Sequence, residues 1–154
     1  MPNGRTIHSA LSIPFTAVGN KWLTVPSQQQ LVRLHTRVDT NTLCMVVIDE
    51  VSYMGPILFA HVESRLQALL ASNENLGGLA VVLLEDFFQL PPVVPSECFY
   101  AAVVKQVNCL NLDPTGVVGS PRSVGASLFA TFKKIELTQQ MCSVTDPNHI
   151  AIPN

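Results

Sequence analysis

A chain of 154 residues has the length of one domain. Hydrophobic residues make up 47% of it and charged residues 13%, a balance that supports a buried core and excludes disorder along the whole length. A formal charge of −2 excludes a strongly basic nucleic-acid module, so any contact with nucleic acid has to be local.

In chain order, residues 6–11 open a short helix and residues 14–26 read as loop. Ser27 is placed to cap a helix over about 28–38, with Leu31 and Leu34 on one face. Residues 43–48 are a continuous apolar run ending in two acids, the pattern of a buried strand in a parallel sheet. Pro56 suits a first helical position, and Ile57, Leu58, Val62, Leu66, Leu69 and Leu70 continue as a helical stripe that residues 75–78 stop. Residues 79–84 form a second apolar run. Strand, helix and strand at this spacing predict a βαβ unit in a three-layer α/β arrangement. Residues 94–123 read as an irregular insertion, followed by a helix over 124–132 and a third strand over 133–137.

Cys44, Cys98, Cys109 and Cys142 include no C-x-x-C pair, which fits reduced thiols in an intracellular protein. The first ten residues carry no apolar signal-peptide core, and the apolar runs are shorter than a membrane span.

Four segments carry residues suited to chemistry. The first is Val46-Val47-Ile48-Asp49-Glu50. In open α/β sheets ligands sit beyond the carboxyl ends of the strands. An Asp there can hold Mg²⁺ through water, and a following Glu can orient the attacking water. A solvated turn explains the two acids equally well. The second is Glu85-Asp86-Phe87-Phe88-Gln89-Leu90-Pro91-Pro92-Val93, where a Gln can meet a terminal phosphate and an aromatic ring can stack on a base. A proline-stiffened loop with two core phenylalanines is the plainer explanation. The third, Ile135 to Met141, is a strand end followed by polar residues. The fourth, Gly4-Arg5-Thr6-Ile7-His8-Ser9, suits a phosphate grip or a simple helix cap. His61-Val62-Glu63 matches half of a zinc deaminase signature, but the later P-C-x-x-C is missing from the sequence.

Taken in order, GRTIHSAL, VVIDEVSYMGP, VVLLEDFFQLPPV and IELTQQM resemble the PIF (petite integration frequency) family of DNA helicases. The resemblance frames the chain from Gly4 to about His149 and is weakest over 94–123. It implies a partial RecA-like parallel sheet of the P-loop NTPase type, with flanking helices. It also implies ATP and Mg²⁺ as cofactors and unwinding of DNA from the five-prime towards the three-prime end. The settings it implies are DNA repair, recombination and telomere maintenance, in the nucleus or mitochondrion. Carried over by position, Asp49 would hold Mg²⁺, Glu50 would activate water, and Gln89 would contact the terminal phosphate. Thr6, His8 and Phe88 would touch single-stranded DNA.

The sequence departs from the family pattern in three places. No G-x-x-x-x-G-K-[ST] occurs in it, so the phosphate-loop strand is expected to be missing. Glu85 stands where the family has Gly. Cys142 stands where the family has an Arg that reaches the terminal phosphate. A second motor domain is expected to be missing as well. The expectation is a helicase fragment that is inactive alone. Two other readings stand beside it: a part completed by another chain, and a non-catalytic module that binds single-stranded DNA or protein.

Overall fold

The computed structural model describes residues 4–15, 25–85 and 120–137. Its centre is a parallel pair of strands, β1 (Met45–Ile48) and β2 (Ala80–Leu83), in register Met45 to Ala80 and Ile48 to Leu83. The connection between them carries the helix α3 (Pro56–Leu70), so the expected βαβ unit is present. Pro56 is the first residue of α3, where its missing N–H costs nothing. Ala71 ends the helix in a left-handed conformation, and a tight turn at Asn75–Gly78 leads into β2.

Three more helices complete the described residues: α1 (Ile7–Ala10), α2 (Gln28–Arg37) and α4 (Pro121–Phe129). Thr6, Ser27 and Ser120 cap them, each side-chain oxygen accepting a backbone N–H three residues on. Ser27 and Gln30 form a reciprocal capping box. Ile7, Leu11 and Ile13 pack with Ile48, Val51 and Met54, so α1 and the loop after it lie on the core.

α3 is the central helix. Phe59, Val62, Leu66 and Leu69 are buried, as the apolar stripe predicts, but so are His61, Glu63 and Arg65. The reason is packing on several sides. The core beneath the sheet covers one face, and α4 crosses closely on another, with Gly125 against the Pro56 carbonyl. Phe59 also meets Phe129 and Phe132 in tilted and edge-on geometries at 5.9–6.3 Å between ring centres.

Some expectations need correction. The strands are not buried on both faces. Val46, Ile48, Val81 and Leu83 turn to the core, while Met45 (50% exposed), Val47 (52%) and Val82 face solvent. Among the described residues the core lies under one face of the sheet only. Residues 133–137 form no strand: they have no ladder partner, Ile135 and Leu137 are exposed, and Lys134 pairs with Glu136 at 3.3 Å. The last helix begins at Pro121, inside the stretch read as irregular. The rest of that insertion, residues 94–119, lies outside the described residues.

Candidate functional site

The carboxyl ends of the two strands are tied together by backbone. Leu84 N–H donates to the Ile48 carbonyl at 2.8 Å, and Val51 N–H donates to the Leu84 carbonyl at 3.2 Å. These bonds bracket Asp49 and Glu50 and fix them at the strand ends, next to Leu84 and Glu85. The location agrees with the rule that ligands of open α/β sheets sit beyond the carboxyl ends of the strands.

Local structure then turns the acids outward. Glu50 takes a left-handed conformation, φ 56° and ψ 45°, which costs a non-glycine residue on the order of 1–2 kcal/mol. Burial of the next residues offsets that cost. Val51 and Met54 are buried, and the short turn Val51–Tyr53 closes with Tyr53 N–H on the Glu50 carbonyl at 3.1 Å. Pulling Val51 into the core forces the chain to reverse at Glu50, and both acids remain exposed. Asp49 Oδ1 accepts the Glu50 N–H at 2.9 Å, which restrains its carboxylate.

The donor chemistry suits a hard cation held mainly by water. An exposed, restrained carboxylate at a strand end is an oxygen ligand of the type Mg²⁺ takes while keeping most of its hydration shell. No group of three His, Cys, Asp or Glu side chains among the described residues forms a ready cage for a metal, and Asp49 is the carboxylate there that would hold one. Glu85, just after β2, is half-buried with Oε1 shielded from solvent.

The structure brings together Asp49 and Glu50 but does not place every candidate. Phe88, Gln89 and Cys142 lie outside the described residues. Thr6 and His8 lie on the α1 segment. The Thr6 hydroxyl accepts the Ser9 N–H at 3.3 Å, so its oxygen caps the helix. His8 is half-buried, and its ring stacks on Phe15 at 4.4 Å with 11° between the planes. A groove of about 320 Å³ lined by Leu76, Leu79, Val81, Leu128 and Phe132 includes none of the candidates.

Three features escaped the reading of the sequence. Glu63 is buried in α3 and accepts the backbone N–H of Leu76 and the side-chain amide of Gln67. Burial raises its pKa, and the Leu76 hydrogen bond opposes that only in part. These bonds give Glu63 a structural role and leave no deaminase site at His61-Val62-Glu63. Arg65 is 1% exposed, and its guanidinium meets Gln30 Oε1 at 3.5 Å; burial lowers its pKa. Gln30 also donates to the Ser12 carbonyl at 3.4 Å, so one side chain joins α2, α3 and the loop after α1. The sequence signal for it was Ser-x-x-Gln at 27–30, a capping box.

Comparison with known proteins bears on the same residues. The chain is 42% identical over 50 residues to the ATP-dependent DNA helicase PIF5 of Trypanosoma brucei brucei, covering 32% of this chain and 5% of that protein. It is 34% identical over 77 residues to the human ATP-dependent DNA helicase PIF1, covering 47% of this chain and 12% of that protein. The chain thus spans a small part of the length of the relatives it matches. A crystal structure of Bacteroides Pif1 bound to ssDNA matches with a TM-score of 0.45 and 26% identity, over 69% of this chain and 23% of that one. No helix among the described residues is long and apolar enough to cross a membrane. The family model of PIF1-like helicases matches residues 1–110, well over half of the sequence, and the chain belongs to that family.

Proposed function

We propose that this chain is part of the nucleotide-driven motor of an ATP-dependent DNA helicase, with a RecA-like core. In this reading Asp49 holds Mg²⁺ through water beside the nucleotide phosphates, and Glu50 orients and deprotonates the attacking water. Gln89 contacts the terminal phosphate, while Thr6, His8 and Phe88 meet single-stranded DNA. The observation that carries the reading is the outward-turned acid pair at the carboxyl end of β1, pinned by Leu84 and set by the left-handed Glu50. Mg²⁺ supplies charge neutralisation for phosphoryl transfer; the chain's own residues supply position and a base.

The same reading makes these 154 residues inactive by themselves. Phosphoryl transfer rests on positioning and charge stabilisation. The sequence holds no G-x-x-x-x-G-K-[ST] to cradle phosphates, and Cys142 offers no cation. An arginine in such a role is worth about 10³–10⁵ in rate in related motors. The unwinding served would run from the five-prime towards the three-prime end, in repair, recombination and telomere maintenance within the nucleus or mitochondrion. That part rests on the family resemblance alone.

Two measurements test the proposal. Mn²⁺ as a paramagnetic stand-in for Mg²⁺ is expected to broaden the amide signals around Asp49 and Glu50, and Asp49→Asn is expected to abolish the effect. Broadening centred elsewhere would remove Asp49 from the role. Phosphate release from ATP is expected to be absent with or without single-stranded DNA. DNA-stimulated release that Glu50→Gln abolishes would overturn the claim of inactivity while supporting the site.

A further inference from the structure

The α1 segment ends in a constructed feature. Ser12 takes a left-handed conformation, φ 51°, and turns the chain back. Ile13 then inserts into the core, 3% exposed, with its N–H on the His8 carbonyl at 3.0 Å. Pro14 fixes φ at the next step. These three residues return Phe15 over His8, ring parallel to ring, at 4.4 Å. One face of Phe15 is covered by the imidazole, yet the residue is 79% exposed, so its other face is open. His8 contributes the flat of its ring here, since Nε2 is shielded and has no hydrogen-bond partner. A ring stacked on one face and open to water on the other is a surface on which a further flat ring can stack.

Charge along the sequence is unevenly distributed. Residues 1–38 hold Arg5, Lys21, Arg33 and Arg37 and no acid, while the rest of the chain holds all 11 Asp and Glu. Arg37 reaches across from α2 and donates to the carbonyl of Ser9, next to His8, at 2.7 Å. Arg37 is exposed, so the other donors of its fork face solvent. Arg33 lies one turn earlier on the same helix, four residues from Arg37. Gln30 donates to the Ser12 carbonyl from the same side of α2, so the helix is docked and its cations are held beside the loop.

We propose that Phe15, backed by His8, is a stacking platform for one base of single-stranded nucleic acid, and that Arg37 takes an adjacent phosphate. The proposal rests on the reading of Thr6 and His8 as a DNA-contacting segment and adds Phe15 and Arg37, which that reading did not contain. An open aromatic face takes any base, because every base has a π-face. A planar arginine fork takes a phosphate in two hydrogen bonds. Ring and cation together match a single strand, with exposed bases and regular charge, better than a duplex with its bases stacked inside.

The test is binding of the 154-residue chain to a fluorescent oligothymidine and to an abasic strand of equal length, by anisotropy across a salt series. Phe15→Ala is expected to weaken oligothymidine binding about tenfold, within the range of one base–aromatic stack. It is expected to leave abasic-strand binding unchanged, and Phe15→Trp should restore the affinity. Arg37→Gln is expected to weaken both strands and to reduce the salt slope by about 1. Phe15 is exposed, so circular dichroism of its variants should match the parent. Equal oligothymidine binding by the parent and Phe15→Ala would overturn the platform while leaving the segment's DNA contact intact. An equal loss on both strands would overturn stacking as the cause. No single-strand binding by the parent chain would remove both the platform and the reading beneath it.

Discussion

Glu63 illustrates how a charged residue can be structural. Its carboxylate holds the N–H of Leu76, where the backbone enters a left-handed turn at φ 54°, and it also takes the Gln67 amide. Desolvation raises its pKa above the ordinary 4.5, so the folded state binds the proton more tightly than the unfolded chain does. The stabilising effect of that proton is full below the unfolded value and is lost as pH rises through the raised folded value. Stability should therefore fall across the window just above the ordinary carboxylate range. Glu63→Gln keeps an acceptor for Leu76 and removes the charge, so it is expected to flatten this slope and to equal or exceed the parent at neutral pH. Glu63→Ala leaves the Leu76 N–H buried and unpaired, at a cost of about 1–3 kcal/mol. Urea unfolding at a series of pH values measures both. An unchanged slope in Glu63→Gln would show that another group sets the pH dependence.

At the scale of elements, the crossing of α3 and α4 is decided by one missing side chain. Gly125 lies inside α4, where replacement by Ala ordinarily gains about 1 kcal/mol of helix propensity. Here a Cβ would overlap the Pro56 carbonyl oxygen at the first turn of α3. Both sides of that contact are backbone of packed helices, so neither yields by a rotamer change. Overpacking costs about 1–3 kcal/mol or more and outweighs the propensity gain. Gly125→Ala is expected to lower stability in urea by a net of up to about 2 kcal/mol, with the slope unchanged. A midpoint at or above the parent's would mean that the two helices cross at a greater distance.

The same elements show what was legible beforehand. Local signals were sound: Ser27 before a helical face of Leu31 and Leu34, Pro56 after the acid pair, and apolar runs before Asp49 and Glu85 placed a cap, helices and both strands within a few residues. These are short-range effects of backbone hydrogen bonding and periodicity, written in adjacent residues. The outward position of Asp49 and Glu50 was legible for that reason, but the left-handed Glu50 was not, because nothing in a Glu marks that conformation. Burial of Glu63 and Arg65 was illegible too. It depends on Leu76 and Gln30, 13 and 35 residues away, and a charge on a helix reads as solvated until such partners are known. The strand expected at 133–137 failed for a related reason: Ile135 and Leu137 have strand-like alternation, but a strand exists only with a neighbour's ladder. Phe15 gave no signal as a lone aromatic after proline; only the fold stacks it on His8.

For the molecule as a whole, the uneven covering of the sheet has a consequence in solution. Val46, Ile48, Val81 and Leu83 bury one face, while Met45, Val47 and Val82 leave the other open. Both strands also lack a second neighbour among the described residues. A parallel pair is ordinarily covered on both faces, and exposed apolar strands pair with other chains. Self-association through this face is therefore expected, growing with concentration and with sulfate rather than weakening in salt, as apolar contact does. Val47→Thr combined with Val82→Thr tests the cause. Thr keeps the branched shape that suits strands, so the fold should survive, while each hydroxyl makes the open face wetter. Sedimentation velocity is expected to show a shift from oligomer towards monomer in the double variant, with circular dichroism unchanged. Substituting the exposed Ile135 and Leu137 by Thr is the control, since they lie outside the sheet. A parent chain that stays monomeric across the concentration series would show the face to be covered or harmless. A shift produced equally by the control would place the association at residues 133–137 instead of on the sheet.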